Sequence, residues 1–221
     1  MPCEGKEDGS TSYFYQDIAL ATKLNDTTLY LTGYEQENHF KTLKKIFPKT
    51  NHIGLGLVKY KSSKMSSRFG NVIYMVDILK EISDEFEGNE KLAYNIFAGY
   101  ILKSDPTSDK VFNLDSIRNP KNSLGLYLSY TMARLKSAKV VAKETEHFDS
   151  QELEYSYFKT KHKLNPMYLF NSLIELSKEM NSLYLTHNII GNKENTLMFS
   201  IMLGDLTLGM KKLGLFEIDK V

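Results

Sequence analysis

Two short apolar, β-branched runs on either side of an amphipathic helix constrain this chain more than any other feature. Thr28 to Leu31 and Ile53 to Val58 have the period-two character of strands, and Asn38 to Phe47 reads as a helix that ends near Pro48. A strand, a crossover helix and a second strand predict a parallel pair, because the crossover returns the chain to the end of the sheet where it began. Ligands of open parallel sheets collect beyond the carboxyl ends of the strands. The segment Ser62-Ser63-Lys64-Met65-Ser66-Ser67-Arg68-Phe69-Gly70-Asn71 falls there. Its backbone N–H groups, hydroxyls and two fixed cations suit a polyphosphate. A polar Ser/Lys stretch is equally what a solvated connection looks like, and the residues alone leave both readings open.

From Met75 onward the spacing becomes helical. Val76, Leu79, Ile82 and Phe86, then Leu92, Ile96 and Tyr100, recur at three- and four-residue intervals, so the sheet is expected to end before them. A polar segment from Ser104 to Asn122, with Pro106 and Pro120, separates these helices from a second helical block. The expected fold class is α/β followed by all-α, divided into residues 1–103, a linker over 104–122, and a helical domain over 123–221.

In the second block a helix is predicted from Ser123 to about Lys143, with Leu124, Leu128, Thr131 and Leu135 on its core face. At about 100° per residue, Tyr127, Tyr130 and Arg134 gather on a second face, off the leucine stripe. Two tyrosines and an arginine grouped in this way can stack on bases and pair with phosphates. Tyrosines also flank many cores with their hydroxyls in water, so the pattern alone does not decide. A further helix starts at Asn165-Pro166 and buries Leu169, Leu173, Leu176, Met180 and Leu183. Asn195 to Leu213 supplies another, stopped by Gly214.

With 28 Lys and Arg against 27 Asp and Glu the formal net charge is +1, so any nucleic-acid contact must rest on a local patch. The single cysteine, Cys3, can form neither an internal disulfide nor a multi-thiolate metal site. No run is long and apolar enough to span a bilayer, and Met1 to Asp8 has no apolar signal core. A soluble, cytoplasmic protein with no membrane partner is expected.

Taken in order, the motifs resemble one family, the arginyl-tRNA synthetases, which are class I aminoacyl-tRNA synthetases. Asp8-Gly9-Ser10 followed by Tyr13-Phe14-Tyr15-Gln16-Asp17-Ile18-Ala19 is similar to the family's Asp-Gly, Tyr-x-x-x-Asp-Ile-Ala segment. Gly33-Tyr34-Glu35-Gln36 with His39-Phe40 is similar to its Gly-x-Glu-Gln-x-x-His-Phe segment, and Lys64 to Val72 to its Lys-Met-Ser-Ser ATP loop. Gly125-Leu126-Tyr127-Leu128-Ser129-Tyr130 through Arg134 resembles the opening of the helical anticodon-binding domain, while Asn181 to Tyr184 and Leu213-Gly214-Leu215 resemble later landmarks.

The resemblance implies the end of a Rossmann-type catalytic domain followed by a helical-bundle anticodon-binding domain. It implies ATP-dependent ligation of arginine to its tRNA, with ATP as substrate accompanied by Mg. Tyr13, Asp17 and Gln36 would hold the substrate arginine, since a guanidinium offers a rigid fork of donors that a carboxylate and oriented polar groups can match. Read from the residues alone, Asp17 is a helix cap, and Gln36 and His39 are surface polarity. His39 could also lie near ATP. Lys64 and Arg68, the implied catalytic cations, would line the ATP phosphates with Met65, Ser66 and Ser67. Tyr127, Tyr130, Arg134, Tyr184 and Val221 would face the tRNA anticodon loop.

The chain departs from the family in several places. The first catalytic half, with its His-x-Gly-His motif, is expected to be missing, and a separate chain carrying that half is a candidate partner. A non-catalytic tRNA-binding module or a degenerate fragment is the alternative. His52-Ile53-Gly54 is a decoy, because Leu55 replaces the second histidine. Phe69 stands where the family has a lysine, Ser67 where other class I enzymes have a second lysine, Ser129 where glutamine is usual and Val221 where methionine is common. The connection between Thr145 and Lys163 is shorter than in the family.

Overall fold

A computed structural model describes residues 13–24, 26–60, 74–112 and 123–221. Cys3, the Asp8-Gly9-Ser10 motif and the whole Lys64, Met65, Ser66, Ser67 and Arg68 loop lie outside the described residues. The chain divides into two compact units, Met1–Leu57 with Pro106–Lys110, and Val58–Asp105 with Val111–Val221. This division falls elsewhere than the 104–122 linker read from composition.

The first unit holds helix α1 (Tyr13–Leu24), strand β1 (Thr28–Gly33), a 3-10 turn (Tyr34–Gln36), helix α2 (Glu37–Ile46) and strand β2 (Thr50–Leu55). The strands pair in parallel from Thr28 against Thr50 to Gly33 against Leu55, as the crossover pattern predicts. Phe40 and Leu43, three apart on α2, are fully enclosed, and α2 stops just before Pro48. The predicted Ile53 to Val58 strand is corrected: β2 starts earlier and ends at Leu55. Gly56 N–H then donates to the Pro106 carbonyl (2.8 Å) and Leu57 N–H to Asp109 Oδ1 (2.9 Å), leading the chain off the sheet.

The second unit contains α3 (Met75–Glu85), α4 (Glu90–Leu102), α5 (Leu124–Ser137), α6 (Gln151–Lys163), α7 (Met167–Thr186) and α8 (Lys193–Lys212). Strands β3 (Val58–Tyr60) and β4 (Lys110–Phe112) form a small pair, so strand structure does not end before Met75 as the spacing suggested. Side-chain caps set most of the helix starts: Asn89, Ser123, Ser150 and Asn192 each accept the N–H three residues on. One core joins Leu128, Met132 and Leu135 of α5 to Leu169, Phe170 and Leu173 of α7 and Phe199, Leu203 and Leu206 of α8. A smaller core joins Ile78, Ile82, Leu92 and Ile96 to Leu126 and Ile218.

Helices α4 and α5 touch almost backbone to backbone. A Cβ at Gly125 would sit 2.0 Å from the Asn95 carbonyl oxygen and one at Gly99 would sit 2.6 Å from Gly125 Cα, so neither position admits a side chain without moving a helix. α5 stops at Ser137, short of the predicted Lys143, because Lys139 takes a positive φ of 61° and the Val140 N–H closes back on the Leu135 carbonyl.

Candidate functional site

In the first unit a polar cluster forms on α1, α2 and the strands. Tyr13 opens α1 and Asp17 follows one turn later on the same face. Asp17 is therefore inside the helix, and the capping role read from the residues is corrected. His39 Nε2 lies 2.7 Å from Asp17 Oδ2, with the two side chains about a quarter exposed (27% and 24%). Phe14 meets the His39 ring edge-on at 5.2 Å, which fixes its plane. Gln36 is exposed in the turn that leaves β1, three residues before His39, at the carboxyl end of the parallel pair.

Behind this edge, Phe40 stacks on His52 (4.5 Å, 19°) and tilts against Tyr30 (4.7 Å). Thr32 Oγ1 and His52 Nε2 share a hydrogen bond of 3.0 Å. His52-Ile53-Gly54 thus lies inside β2, as the decoy reading expects. Burial, opposed by the Glu37 charge and reinforced by His39, holds the His52 imidazole below its ordinary 6.5. The Tyr30 hydroxyl is buried and without a hydrogen-bond partner among the described residues. Burial first, and the Asp17 carboxylate second, push its pKa up. Among the described residues no three His, Cys, Asp or Glu side chains gather as a metal site.

In the second unit the tyrosine and arginine face of α5 meets α7. Arg134 Nη1 donates to Asn181 Oδ1 at 3.1 Å, and its guanidinium lies 3.9 Å from the centre of the Tyr184 ring. Asn181 Nδ2 reaches Thr131 Oγ1 (2.7 Å), the Ser177 carbonyl (2.9 Å) and the Tyr127 hydroxyl (3.2 Å). Tyr127 is half-buried and held, whereas Tyr130 is 47% exposed. Tyr184 packs edge-on against Phe199 of the core, which backs the Arg134 stack.

Val221 joins this surface because the tail before it is tied down. Asn95 accepts the Phe216 N–H (2.9 Å) and donates to the Phe216 carbonyl (2.8 Å), while the Ile218 N–H points at Met132 Sδ (3.4 Å). Lys136 bonds Asp219 (2.7 Å) and Glu217 (3.0 Å). Burial depresses the Lys136 ammonium, but these two carboxylates outweigh it and raise its pKa, and the Lys136 hydrogen bond in turn lowers that of Asp219. Two grooves result, one on each side of Tyr130 and Val221. One, of about 550 Å³, is apolar and lined by Leu124, Leu126, Tyr127 and Ile174 with Lys178 at its margin. The other, of about 420 Å³, is lined by Arg134, Tyr184, Ile190 and Lys220.

The structure therefore groups Tyr127, Tyr130, Arg134, Tyr184 and Val221 in one place, and joins Asp17, one helical turn after Tyr13, to His39, three residues after Gln36. Sequence reasoning assigned no role to Asn181, which fixes both Arg134 and Tyr127. Its spacing from Ser177 and Tyr184, four before and three after on one helix face, was the available signal. Tyr30 was also missed, because a tyrosine in a strand reads as packing.

No family model matches the chain. The chain is 26% identical to the arginine–tRNA ligase of Clostridium botulinum strain Alaska E43, with 98% of this chain matched to 47% of that protein. It is 31% identical to the Oenococcus oeni arginine–tRNA ligase over 60% of this chain and 28% of that one. The arginyl-tRNA synthetase structure from Plasmodium falciparum superposes with a TM-score of 0.72 at 22% identity, covering 98% of this chain and 46% of that one. The Thermus thermophilus arginyl-tRNA synthetase gives 0.67 at 15%, covering 88% and 41%. The chain spans less than half the length of each of these relatives. In sequence and in fold, the chain resembles the C-terminal half of the arginyl-tRNA synthetases.

Proposed function

We propose that this chain is the tRNA-holding half of an arginine–tRNA ligase, acting in the cytoplasm on arginine, ATP and an arginine-accepting tRNA. The observation that carries the reading is the Arg134–Asn181–Tyr184 cluster beside exposed Tyr130 and Val221, with a groove on each side. Unpaired bases stack on such rings for roughly 1 to 3 kcal/mol each. Arg134, already stacked and bonded, would present its remaining N–H groups to a base edge or phosphate without a large ordering cost.

On this reading Asp17 pairs with the substrate guanidinium through the oxygen that His39 does not hold, and Tyr13 and Gln36 supply the neighbouring polar contacts. Lys64 and Arg68, with Met65, Ser66 and Ser67, lie along the ATP phosphates while the arginine carboxylate attacks the α-phosphate and pyrophosphate departs. Residues 1–103 then end the catalytic domain and 123–221 form the anticodon-binding domain, joined by 104–122. Leu29 (43%) and Leu31 (58%) stay exposed on a sheet that, among the described residues, has two parallel strands, a type ordinarily covered on both faces. That exposure supports a separate chain carrying the first catalytic half as a partner.

The test is arginine-dependent pyrophosphate exchange with cognate tRNA. The chain alone is expected to be inactive, and activity is expected to return on addition of a polypeptide carrying the His-x-Gly-His half. Robust exchange by the chain alone would overturn the need for a partner. Absence of tRNA binding altogether would overturn the ligase reading.

A further inference from the structure

The carboxyl-terminal half of α6 carries a second basic and aromatic surface, away from the residues assigned to the anticodon. Tyr155 (57%) and Phe158 (55%) are exposed, and Lys159, Lys161, His162 and Lys163 follow within the next five positions. The cations lie against ring faces: Lys159 Nζ is 4.3 Å from the Tyr155 centroid and 5.8 Å from that of Tyr168 on α7. Lys161 (5.6 Å) from α6 and Lys212 (5.3 Å) from the end of α8 both approach the Tyr157 ring. Tyr155 and Lys159 thus line the flank of α6 toward α7, and Tyr157 and Lys161 the flank toward the end of α8. The Phe158 and His162 rings, one turn apart, meet at 4.4 Å with a tilt of 53°.

Among the described residues, none of Lys159, Lys161, Lys163, Lys211 or Lys212 forms an ion pair with an acid. Lys41, Lys136, Lys143 and Lys178, by contrast, are all engaged by carboxylates. In a chain of net charge +1 this is a local concentration of uncompensated positive charge. The core-facing side of α6, with Leu153 and Ser156, is already buried, so the exposed side offers flat rings and cations instead of a broad aliphatic stripe. Phosphates interleaved with stackable faces are the ligand that combination matches, which favours nucleic acid over an apolar partner.

We infer that the solvent-exposed side of α6 from Tyr155 to Lys163, with Lys211 and Lys212, is a second RNA-contacting surface that grips phosphate backbone outside the anticodon loop. The inference rests on the tRNA-binding reading above. It requires the two surfaces to differ in kind: α6 works mainly through charge, and the Tyr130 and Arg134 surface mainly through base recognition.

The experiment is fluorescence anisotropy of the full chain with a labelled arginine-accepting tRNA transcript, repeated from about 50 to 200 mM salt. Variants are the triple Lys159→Gln, Lys161→Gln, Lys163→Gln, the single Lys161→Glu, and Tyr130→Ser as the anticodon-side control. Circular dichroism checks that each variant is folded, and Lys161→Glu, a single change at an exposed position, is the second readout if the triple variant is not. The triple variant is expected to reduce the slope of log affinity against log salt by about 2, while Tyr130→Ser weakens binding with its slope nearly unchanged. Lys161→Glu is expected to weaken binding at low salt. A triple variant with the wild-type slope, or a Lys161→Glu variant with wild-type affinity, overturns this inference. If Tyr130→Ser still weakens binding, the tRNA reading survives that result. No binding by the wild-type chain overturns both.

Discussion

Replacing Asn181 tests the arrangement from which the whole helical surface is built. In Asn181→Ala, Arg134 loses the acceptor 3.1 Å away, and Thr131 and Tyr127 lose a shared donor. A hydrogen bond to a charged group contributes about 1.5 to 3 kcal/mol and a neutral one about 0.5 to 1.5. Two features soften the loss. Thr131 still donates to the Tyr127 carbonyl at 2.9 Å, and Arg134 keeps its stack on Tyr184. The net cost is expected to be about 2 kcal/mol, or about 4 to 8 °C in melting temperature for a chain of this size. Asn181→Asp keeps an acceptor for Arg134, now charge-assisted, while losing both donors, and is expected to cost about 1 kcal/mol. Urea denaturation followed by circular dichroism, with tRNA affinity measured in parallel, gives both readouts. If Asn181→Ala falls within about 0.5 kcal/mol of wild type, the ordinary range for a surface substitution, the proposed coupling between α5 and α7 is wrong.

Gly125→Ala places a methyl 2.0 Å from the Asn95 carbonyl, so it should force α4 from α5 and cost about 3 kcal/mol in denaturant unfolding; an unperturbed midpoint would mean that the helices separate freely. His52 contributes stability that is fully present above its ordinary pKa of 6.5 and is lost as the pH falls through 6.5 to its lowered folded value, because the unfolded chain then binds the extra proton. Acid titration followed by NMR of the His52 ring should therefore show the first unit loosening below about pH 6.5, and His52→Gln should flatten that dependence.

Most of the fold was legible because its signals are local and periodic. The leucines of α5, α7 and α8 recur at helical intervals and project directly onto a buried face, whereas the alternation of β1 leaves Leu29 and Leu31 exposed. The unread parts failed for physical reasons. β3 and β4 are three residues each, too short for alternation to register, and their pairing depends on a contact across some fifty positions of sequence. α6 buries only Leu153 and Ser156, and beyond its local Ser150 cap the chain entering it is held by Asp205 of α8, which accepts the Asp149 and Ser150 N–H groups at 2.8 and 3.0 Å. No window of sequence contains that Asp205 contact. The Tyr127, Tyr130 and Arg134 grouping follows from helix geometry alone, whereas the Asp17–His39 bond needs two helices brought together by the sheet.

The central claim is that the Tyr130, Arg134, Tyr184 and Val221 surface recognises the anticodon loop. Its most direct test compares the affinity of the full chain for an arginine-accepting tRNA with its affinity for the same tRNA carrying abasic nucleotides at the anticodon. Loss of two stacked bases at roughly 1 to 3 kcal/mol each predicts at least a tenfold drop. Equal affinities would contradict the account.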